Sequence, residues 1–366
     1  MGDRIKGRGA LTNREGRFER YRLEVIQDEW VDPVGCDPES RRPATRIESA
    51  NARSIITTND SPDVPFERSL NPYKGCEHGC VYCFARPTHS YLGLSPGLDF
   101  ETRIFAKRNA AELLRAAFAN KRYRAEPIAL GANTDAYQPA ERGLAITRSV
   151  LQVLHDHRHP VGILTKSELV LRDLDLLAPM AEQNLAHVFV SITTLDGELA
   201  RRMEPRAAAP HRRLETLRRL SEAGVPCGVL ASPMIPCIND HEIERILEAA
   251  HEVGARRAGT ILLRLPNELK ELFEEWLRSH YPNRADRVLA RLREAHGGRL
   301  YDSGFSQRMR GRGPYAEMLR LRFDSVHRKL GFERGRFPFD TTLFRQTCVG
   351  NQSRAASAAQ MQLFLD

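Results

Sequence analysis

The chain has 366 residues, of which 41% are hydrophobic and 28% are charged, and its formal net charge is +8. These values are typical of a globular protein with a substantial core, built as one large domain or two. No stretch approaches the ~20 apolar residues of a membrane helix, and the first thirty residues hold no apolar run typical of a signal peptide. We therefore expect a cytoplasmic protein with no membrane partner.

The basic residues suggest a nucleic-acid partner, although the signal is diffuse. Only seven of the 55 basic residues are lysines, and arginine is the better ligand for phosphate. An arginine bias spread over a whole chain also arises from codon composition. Two segments, 4–22 and 308–312, are locally basic and have aromatic residues nearby, as single-strand binding favours. A nucleic acid is thus a candidate partner.

In chain order, residues 1–65 come first and predict a basic, irregular arm, because they are rich in Arg, Asp, Pro and Gly. An alternation of strands and helices begins at residue 66. Further strands are predicted from short apolar runs at 127–130, 160–164, 186–190, 225–230 and 260–263. Asn109 with Glu112, and Asn239 with Glu242, have the spacing of helix-capping boxes. Two glycines, Gly224 and Gly254, stand where helices should end.

Six strands with intervening helices predict a parallel α/β architecture, since apolar runs without alternation fit strands buried on both faces. The number of units alone leaves a doubly wound sheet and a partial barrel both open. Residues 66–266 form this predicted unit. Residues 267–350 predict a mostly helical extension, with helices at 268–280, 285–296 and 314–330, and residues 351–366 predict a loosely ordered tail.

Three cysteines, Cys76, Cys80 and Cys83, lie on one glycine-flanked loop with spacings of three and two intervening residues. Cysteine thiolates are the usual ligands of iron–sulfur clusters, and three of them leave one iron of a cubane cluster without a protein ligand. Zinc is the alternative, with His78 or His89 as the fourth ligand. Zinc sites usually take their ligands as two separated pairs, and no second pair occurs here. A disulfide framework is poorly supported by seven cysteines without a secretory context.

The cysteine spacing, with an aromatic residue before the third cysteine, resembles the radical S-adenosylmethionine (SAM) superfamily. The segments 71–86, 134–141, 164–167 and 203–206 resemble the branch of that superfamily related to spore photoproduct lyase. This resemblance implies a partial (β/α)6 barrel, a [4Fe–4S] cluster at the three cysteines, and SAM as the second cofactor. It further implies a one-electron reductant of the flavodoxin or ferredoxin kind. Reductive cleavage of SAM would then yield a 5′-deoxyadenosyl radical.

The resemblance also implies SAM contacts at the ends of the predicted strands, where a parallel βα barrel gathers its function. Tyr82 would touch the adenine, and Arg206 would pair with the SAM carboxylate through a bidentate fork. The other implied cofactor contacts are Thr134, Asp135, Lys166 and Ser191. The lyase quenches its product radical with a cysteine near the end of the second strand. Residues 130–134 of this chain contain none, which argues against the lyase's own route of thymine-dimer reversal.

Other residues receive more modest interpretations. Cys237, just beyond the fifth strand, is a weak candidate for a hydrogen-donor thiol, whereas Cys227 within that strand is expected to pack as a small hydrophobe. We expect His78 and His89 to form hydrogen bonds within the loop. The substrate stays unassigned, with nucleic acid as one candidate. Alternatives are an RNA- or protein-modifying radical SAM enzyme and, as a non-enzyme, a zinc-stapled nucleic-acid-binding module.

Overall fold

The computed structural model of the chain describes residues 7–18 and 44–346. Cys36, Cys348 and the predicted tail 351–366 lie outside the described residues. The strands are β1 Arg46–Ser49, β2 Ile56–Thr58, β3 Arg68–Leu70, β4 Tyr73–Lys74, β5 Arg103–Ala106, β6 Ile128–Leu130, β7 Val161–Thr165, β8 Ala186–Ser191, β9 Cys227–Met234 and β10 Arg257–Leu262.

The main sheet has the order β10-β9-β8-β7-β6-β3-β2 within the described residues. In this sheet all neighbouring strands pair in parallel except at one edge, where β2 pairs antiparallel with β3. The strands form where the apolar runs predicted them, because most of their side chains are buried. The predicted α/β fold with six consecutive parallel strands is confirmed.

Helices connect the strands and pack against the outside of the sheet. They are α1 Leu98–Thr102, α2 Ala110–Ala119, α3 Glu141–Leu144, α4 Ile146–Asp156, α5 Leu174–Glu182, α6 Gly197–Met203, α7 Pro210–Glu222, α8 Ile243–Glu252, α9 Leu269–His280, α10 Pro282–Ala295, α11 Gln307–Arg310 and α12 Gly313–Lys329. The helices from α2 to α8 that cover the sheet present one apolar face, such as Val150, Leu151 and Leu154 of α4. That face and the strands share one large hydrophobic core.

The sheet is curved, so that its two edges approach each other. Asp63 lies in the connection from β2 to β3, at one edge, and Arg308 lies in α11, which contacts β10 at the other edge. The two side chains form an ion pair with Nε and Oδ2 2.5 Å apart, and the backbone N–H of Ser306 also donates to Asp63 at 2.6 Å. This geometry fits an open, partial barrel.

The segment 44–65 contains strands, in contrast to the irregular arm that its composition predicted. β1 pairs in parallel with β5, which also pairs with β4 in a second, smaller sheet. β2 extends the main sheet. These strands are only four and three residues long. They form because neighbouring edges supply hydrogen-bond partners, a long-range effect that composition does not register.

Neither predicted capping box forms. The Asn109 amide donates to the carbonyl of Ala52 at 3.0 Å, and its side chain does not cap α2. The Glu242 carboxylate accepts from Thr194 Oγ1 at 2.5 Å, so it bonds to the segment after β8 and does not cap its own helix. The helix ends at Gly224 and Gly254 are as predicted, since both glycines have positive φ, +74° and +97°.

The helices predicted after the sheet are present as α9, α10 and α12. Their division from the barrel into a separate domain stays a prediction. α9 and α10 share a second hydrophobic core with the cysteine loop, which includes Val81, Tyr82 and Trp276. Among the described helices, none is both long and apolar enough to cross a membrane.

Candidate functional site

The three predicted cluster cysteines lie on a compact loop between β4 and a 3-10 helix over Arg86–Leu92. Gly75 and Gly79 adopt positive φ values of +78° and +66°, which let the chain turn sharply on each side of Cys76. The Cys76 N–H donates to the Phe100 carbonyl at 2.9 Å. The thiols of Cys76 and Cys80 are buried, that of Cys83 is partly buried, and none forms a disulfide.

The loop is an unfavourable place for isolated thiolates. Burial raises the pKa of all three thiols, that of Cys80 to about 12. The Asp135 carboxylate raises the pKa of Cys76 further, and so do the neighbouring thiols of Cys80 and Cys83. Bound metal supplies the positive charge that such thiolates need. The chemistry of this donor set therefore fits an iron–sulfur cluster.

A buried ion pair and the segment 7–18 pack against the cysteine loop and support it. Arg86 and Glu101 are fully buried and form an ion pair. Glu101 also accepts the backbone N–H groups of Gly9 at 3.0 Å and Ala10 at 2.8 Å. A Cβ atom on Gly9 would lie 1.8 Å from the carbonyl oxygen of Gly79. Segment 7–18 thus packs directly against the cysteine loop.

Asp135 joins the cysteine loop to the ends of β6 and β7. Its carboxylate lies 3.3 Å from His78 Nδ1 and accepts Thr165 Oγ1 at 2.7 Å and the Lys166 N–H at 2.8 Å. Burial alone would raise the pKa of Asp135, but His78 and these hydrogen bonds lower it to about 2. Beside it, Thr134 Oγ1 donates to the Tyr73 carbonyl at 2.8 Å.

Lys166 brings a cation to the cysteines. Its Nζ lies 5.8 Å from the centre of the Tyr82 ring. Its charge lowers the pKa of Cys80 and Cys83 against the larger effect of burial. In the part of the chain that the structure describes, this ammonium group makes no hydrogen bond or ion pair, so it can meet an anionic ligand.

A second buried network holds Tyr82. The Tyr82 hydroxyl bonds to Thr193 Oγ1 at 2.9 Å and to the Glu204 carboxylate. Glu204 also pairs with Arg213, and both are almost fully buried. No pattern in the sequence had assigned a role to Thr193, Glu204 or Arg213. For Glu204, the sequence did offer one signal: this residue lies within the segment 203–206, which is one of the segments that carry the resemblance.

Two of the residues that the resemblance implied as SAM contacts bond to other groups of the protein. Ser191 is buried, and its hydroxyl donates to the Ser232 carbonyl at 3.2 Å. Arg206 Nη2 lies 3.1 Å from the Glu77 carboxylate on the cysteine loop. The Arg206 side chain therefore contacts the cysteine loop, whereas that of Ser191 joins β8 to β9.

Both histidines form polar contacts, but with partners outside the cysteine loop, since His78 pairs with Asp135 and His89 Nε2 bonds to the Arg103 carbonyl at 3.0 Å. Cys227 is fully buried in β9, as expected. Cys237 packs at the edge of the second core, and burial raises the pKa of its thiol. Its role as a hydrogen donor stays a prediction.

Within residues 7–18 and 44–346, no three His, Cys, Asp or Glu side chains converge as the ligands of a single metal ion do. Cluster thiolates bind different irons of one cluster, so this finding concerns single ions such as zinc.

Known proteins are similar to this chain over much of its length. The profile of the Radical SAM superfamily matches residues 70–250. An uncharacterized protein of Mycobacterium tuberculosis is 34% identical over 285 residues, which span 77% of this chain and 83% of that protein. An uncharacterized protein of Methanocaldococcus jannaschii is 31% identical over 173 residues, or 47% of this chain and 62% of that protein.

Among solved structures, a mutant of spore photoproduct lyase matches with a TM-score of 0.55 and 15% identity, over 85% of this chain and 86% of that chain. A second mutant, with bound AdoMet and dinucleoside spore photoproduct, matches with a TM-score of 0.55 and 16% identity, over 78% and 79% of the two chains. At these identities the likeness concerns the fold. The fold and the sequence profile agree, and the chain belongs to the radical SAM superfamily of enzymes.

Proposed function

We propose that Cys76, Cys80 and Cys83 hold a [4Fe–4S] cluster at which this enzyme reductively cleaves SAM. The observation that carries the proposal is the presence of three free thiols on one loop, two buried and one partly buried, next to Asp135 and Lys166 at the ends of neighbouring strands. Three thiolates leave one iron open to a further ligand. When bound, the cluster and SAM together supply a one-electron cleavage that yields methionine and a 5′-deoxyadenosyl radical.

The residues of the chain would bind and orient SAM and would exclude water from the site. Asp135 fixes the cysteine loop against the ends of β6 and β7, and Lys166 offers a cation to an anionic group of SAM. Tyr82 offers a ring whose hydroxyl is already anchored, which suits contact with the adenine. Burial of the loop keeps water from a reactive radical.

Thr134, Ser191 and Arg206 remain proposed SAM contacts on the resemblance alone. Their side chains bond to the Tyr73 carbonyl, the Ser232 carbonyl and Glu77 in this structure. A direct contact with SAM would require each to share or exchange that partner.

We propose a nucleic acid as the substrate class, because aromatic and cationic side chains lie together beside the cysteine loop. Phe84 directly follows Cys83 and is 42% exposed. The Arg264 guanidinium, just after β10, lies 5.0 Å from the centre of the Phe84 ring. Arg264 Nε is buried and has no hydrogen-bond partner among the described residues. An aromatic face with an arginine suits a stacked base and its phosphate.

This substrate class can be tested by binding. Arg264→Gln and Phe84→Ala should weaken binding of single-stranded DNA or RNA oligonucleotides, and Arg264→Gln should also reduce its salt dependence. Measurement by fluorescence anisotropy at two salt concentrations compares them with Arg320→Gln, an exposed arginine on α12. Equal binding by all variants would favour a substrate of another class, such as a protein.

The electron must come from outside the chain, and we propose a flavodoxin- or ferredoxin-like reductant.

Cleavage of SAM is the part of the proposal that needs no substrate. The reconstituted protein should therefore form 5′-deoxyadenosine slowly when it is reduced with dithionite under anaerobic conditions. Chromatography would quantify the product, with Cys80→Ala as the cluster-free comparison. A loaded and reduced protein that binds SAM but forms no 5′-deoxyadenosine would contradict the proposal.

A further inference from the structure

Glu204 is a buried carboxylate that none of the proposed steps uses. It follows the last residue of α6 and is 2% exposed. Its neighbour Met203 accepts the Val81 N–H at 2.9 Å, which joins this point of the chain to the middle of the cysteine loop. Glu204 therefore lies against the backbone that connects Cys80 to Tyr82.

The side chain of Glu204 contacts both residues that flank Val81. Glu204 Oε2 lies 4.0 Å from Cys80 Sγ. The same oxygen accepts the Tyr82 hydroxyl and lies 3.3 Å from Thr193 Oγ1. One carboxylate thus reaches a predicted cluster ligand and the aromatic residue beside it.

Arg213 compensates the charge of Glu204 and is itself firmly held. Its Nε donates to the Ala208 carbonyl at 2.7 Å, and its Nη1 donates to the Ser191 carbonyl at 3.0 Å. A buried ion pair of this kind seldom stabilises a fold more than well-packed apolar side chains would. Stability alone therefore does not explain why a carboxylate lies next to Cys80.

We propose that Glu204, held in place by Arg213, positions the segment from Cys80 to Tyr82 and lowers the reduction potential of the cluster. This inference rests on the proposed function, because it requires Cys80 to be a cluster ligand. A negative charge close to a ligand sulfur opposes the addition of an electron, and net charge and hydrogen bonds around the sulfurs are known determinants of cluster potential. A low potential makes the reduced cluster a stronger donor for the cleavage of SAM.

The geometry gives opposite signs for two substitutions. Glu204→Gln removes the negative charge but keeps the size of the side chain, so the reduction potential should become more positive. Tyr82→Phe keeps the charge and the ring but removes a hydrogen bond to the carboxylate. The carboxylate charge is then less neutralised, and the potential should become more negative.

The test is a potentiometric titration, without SAM, of the reconstituted wild-type protein and both variants, followed by electron paramagnetic resonance. Glu242→Gln is the matched control, because Glu242 is also buried but bonds to Thr194 and Leu195, away from the cysteine loop. Iron and sulfide contents are measured on every sample. We expect unchanged iron content in the control and in Glu204→Gln, with a positive shift of potential in Glu204→Gln alone of these two.

Loaded Glu204→Gln protein with the wild-type potential would overturn the inference. If Glu204→Gln does not fold, Tyr82→Phe decides, and an unchanged potential in that variant would overturn it equally. Wild-type protein that binds no cluster would instead contradict the proposed function, so the two failures are distinguishable.

Discussion

At the scale of single residues, Asp135 occupies a position that serves two segments at once. It binds His78 of the cysteine loop and the residues that end β7, Thr165 and Lys166. Because none of these residues is a proposed cluster ligand, the site can hold a cluster without Asp135. Its loss should instead disturb the alignment between the loop and Lys166.

We predict that Asp135→Asn retains iron and sulfide but forms 5′-deoxyadenosine about tenfold to a hundredfold more slowly, since small displacements of reacting groups cost this much. Anaerobic product assays normalised to iron content provide the measurement. Asp175→Asn is the control, because Asp175 is an exposed partner of Arg148 on the outer surface. A rate in Asp135→Asn equal to that of the control would remove Asp135 from the site.

His159 lies far from the cysteines in sequence and is a buried neutral base. Its ring stacks on Phe118 with centroids 4.7 Å apart, and its Nδ1 donates to the Pro160 carbonyl at 3.0 Å. Nε2 then accepts the Tyr123 hydroxyl at 2.8 Å. Burial lowers the pKa of His159 to about 3, whereas an unfolded histidine has a pKa of about 6.5.

Because the unfolded state takes up this proton more readily, the stabilising contribution is complete above pH 6.5 and is lost as the pH falls towards 3. The loss is about 1.4 kcal/mol per pH unit, or about 2 kcal/mol by pH 5. Urea unfolding of the cluster-free protein at pH 7.5 and pH 5 measures it. His159→Gln should show a fall in unfolding free energy that is smaller by about this amount, and an identical fall in both proteins would show that His159 does not titrate as described.

At the scale of elements, segment 7–18 belongs with the cysteine loop despite its distance in sequence. Gly9 fits against Gly79 only because it lacks a Cβ atom. The backbone N–H groups of Gly9 and Ala10 also satisfy Glu101, the buried partner of Arg86. The segment thus shields one side of the loop from solvent.

We predict that Gly9→Ala displaces this segment and makes the bound cluster more sensitive to oxygen. The rate at which the visible absorbance bleaches in air should rise several-fold, with the initial iron content unchanged. Gly143→Ala is the matched control, because a Cβ atom at Gly143 would meet nothing within 4 Å. Equal bleaching rates would mean that segment 7–18 does not protect the cluster.

The capping motifs show where local sequence patterns reach their limit. Asn239 and Glu242 have the spacing of a capping box, yet the Asn239 amide donates to the Thr193 carbonyl at 2.7 Å and Glu242 binds Thr194. Partners on a neighbouring strand end were available to both side chains, and tertiary hydrogen bonds replaced the local ones. The apolar runs predicted strands more reliably than the capping motifs predicted caps. The reason is that the apolar residues of β8 and β9 themselves favour a buried strand.

At the scale of the whole molecule, the C-terminal helices are tied to the cysteine loop by a common core. Trp276 of α9 is fully buried in the hydrophobic cluster that includes Val81 and Tyr82. Its indole N–H donates to the Arg202 carbonyl at 3.0 Å. Weaker packing of α9 should therefore disturb the loop that carries the proposed cluster ligands.

We predict that Trp276→Ala lowers the free energy of unfolding by about 3–5 kcal/mol and also speeds the loss of iron to a chelator. Leu151→Ala is the control, since Leu151 is equally buried but belongs to the core of the barrel helices. It should lose about 2–5 kcal/mol with little change in the rate of iron loss from the folded protein. If both variants release iron at the same rate, the shared core does not support the loop.

The sequence was sufficient to predict the six parallel strands, the helices after them and the cysteine loop, because each depends on a local pattern. It could not identify the partners of Tyr82. Glu204 and Arg213 lie more than a hundred residues after Tyr82 and meet it only through the fold. The contact of Gly9 with Gly79 has the same origin.

In the proposed site, three cysteines hold a cluster with one iron open to SAM. Electron paramagnetic resonance of the reduced, reconstituted protein before and after SAM addition tests it most directly. We predict a [4Fe–4S] signal that changes when SAM is added and that is absent from Cys76→Ala, Cys80→Ala and Cys83→Ala but present in Cys227→Ala and Cys237→Ala. A cluster signal that SAM leaves unchanged, or one that survives the loss of Cys80, would contradict it.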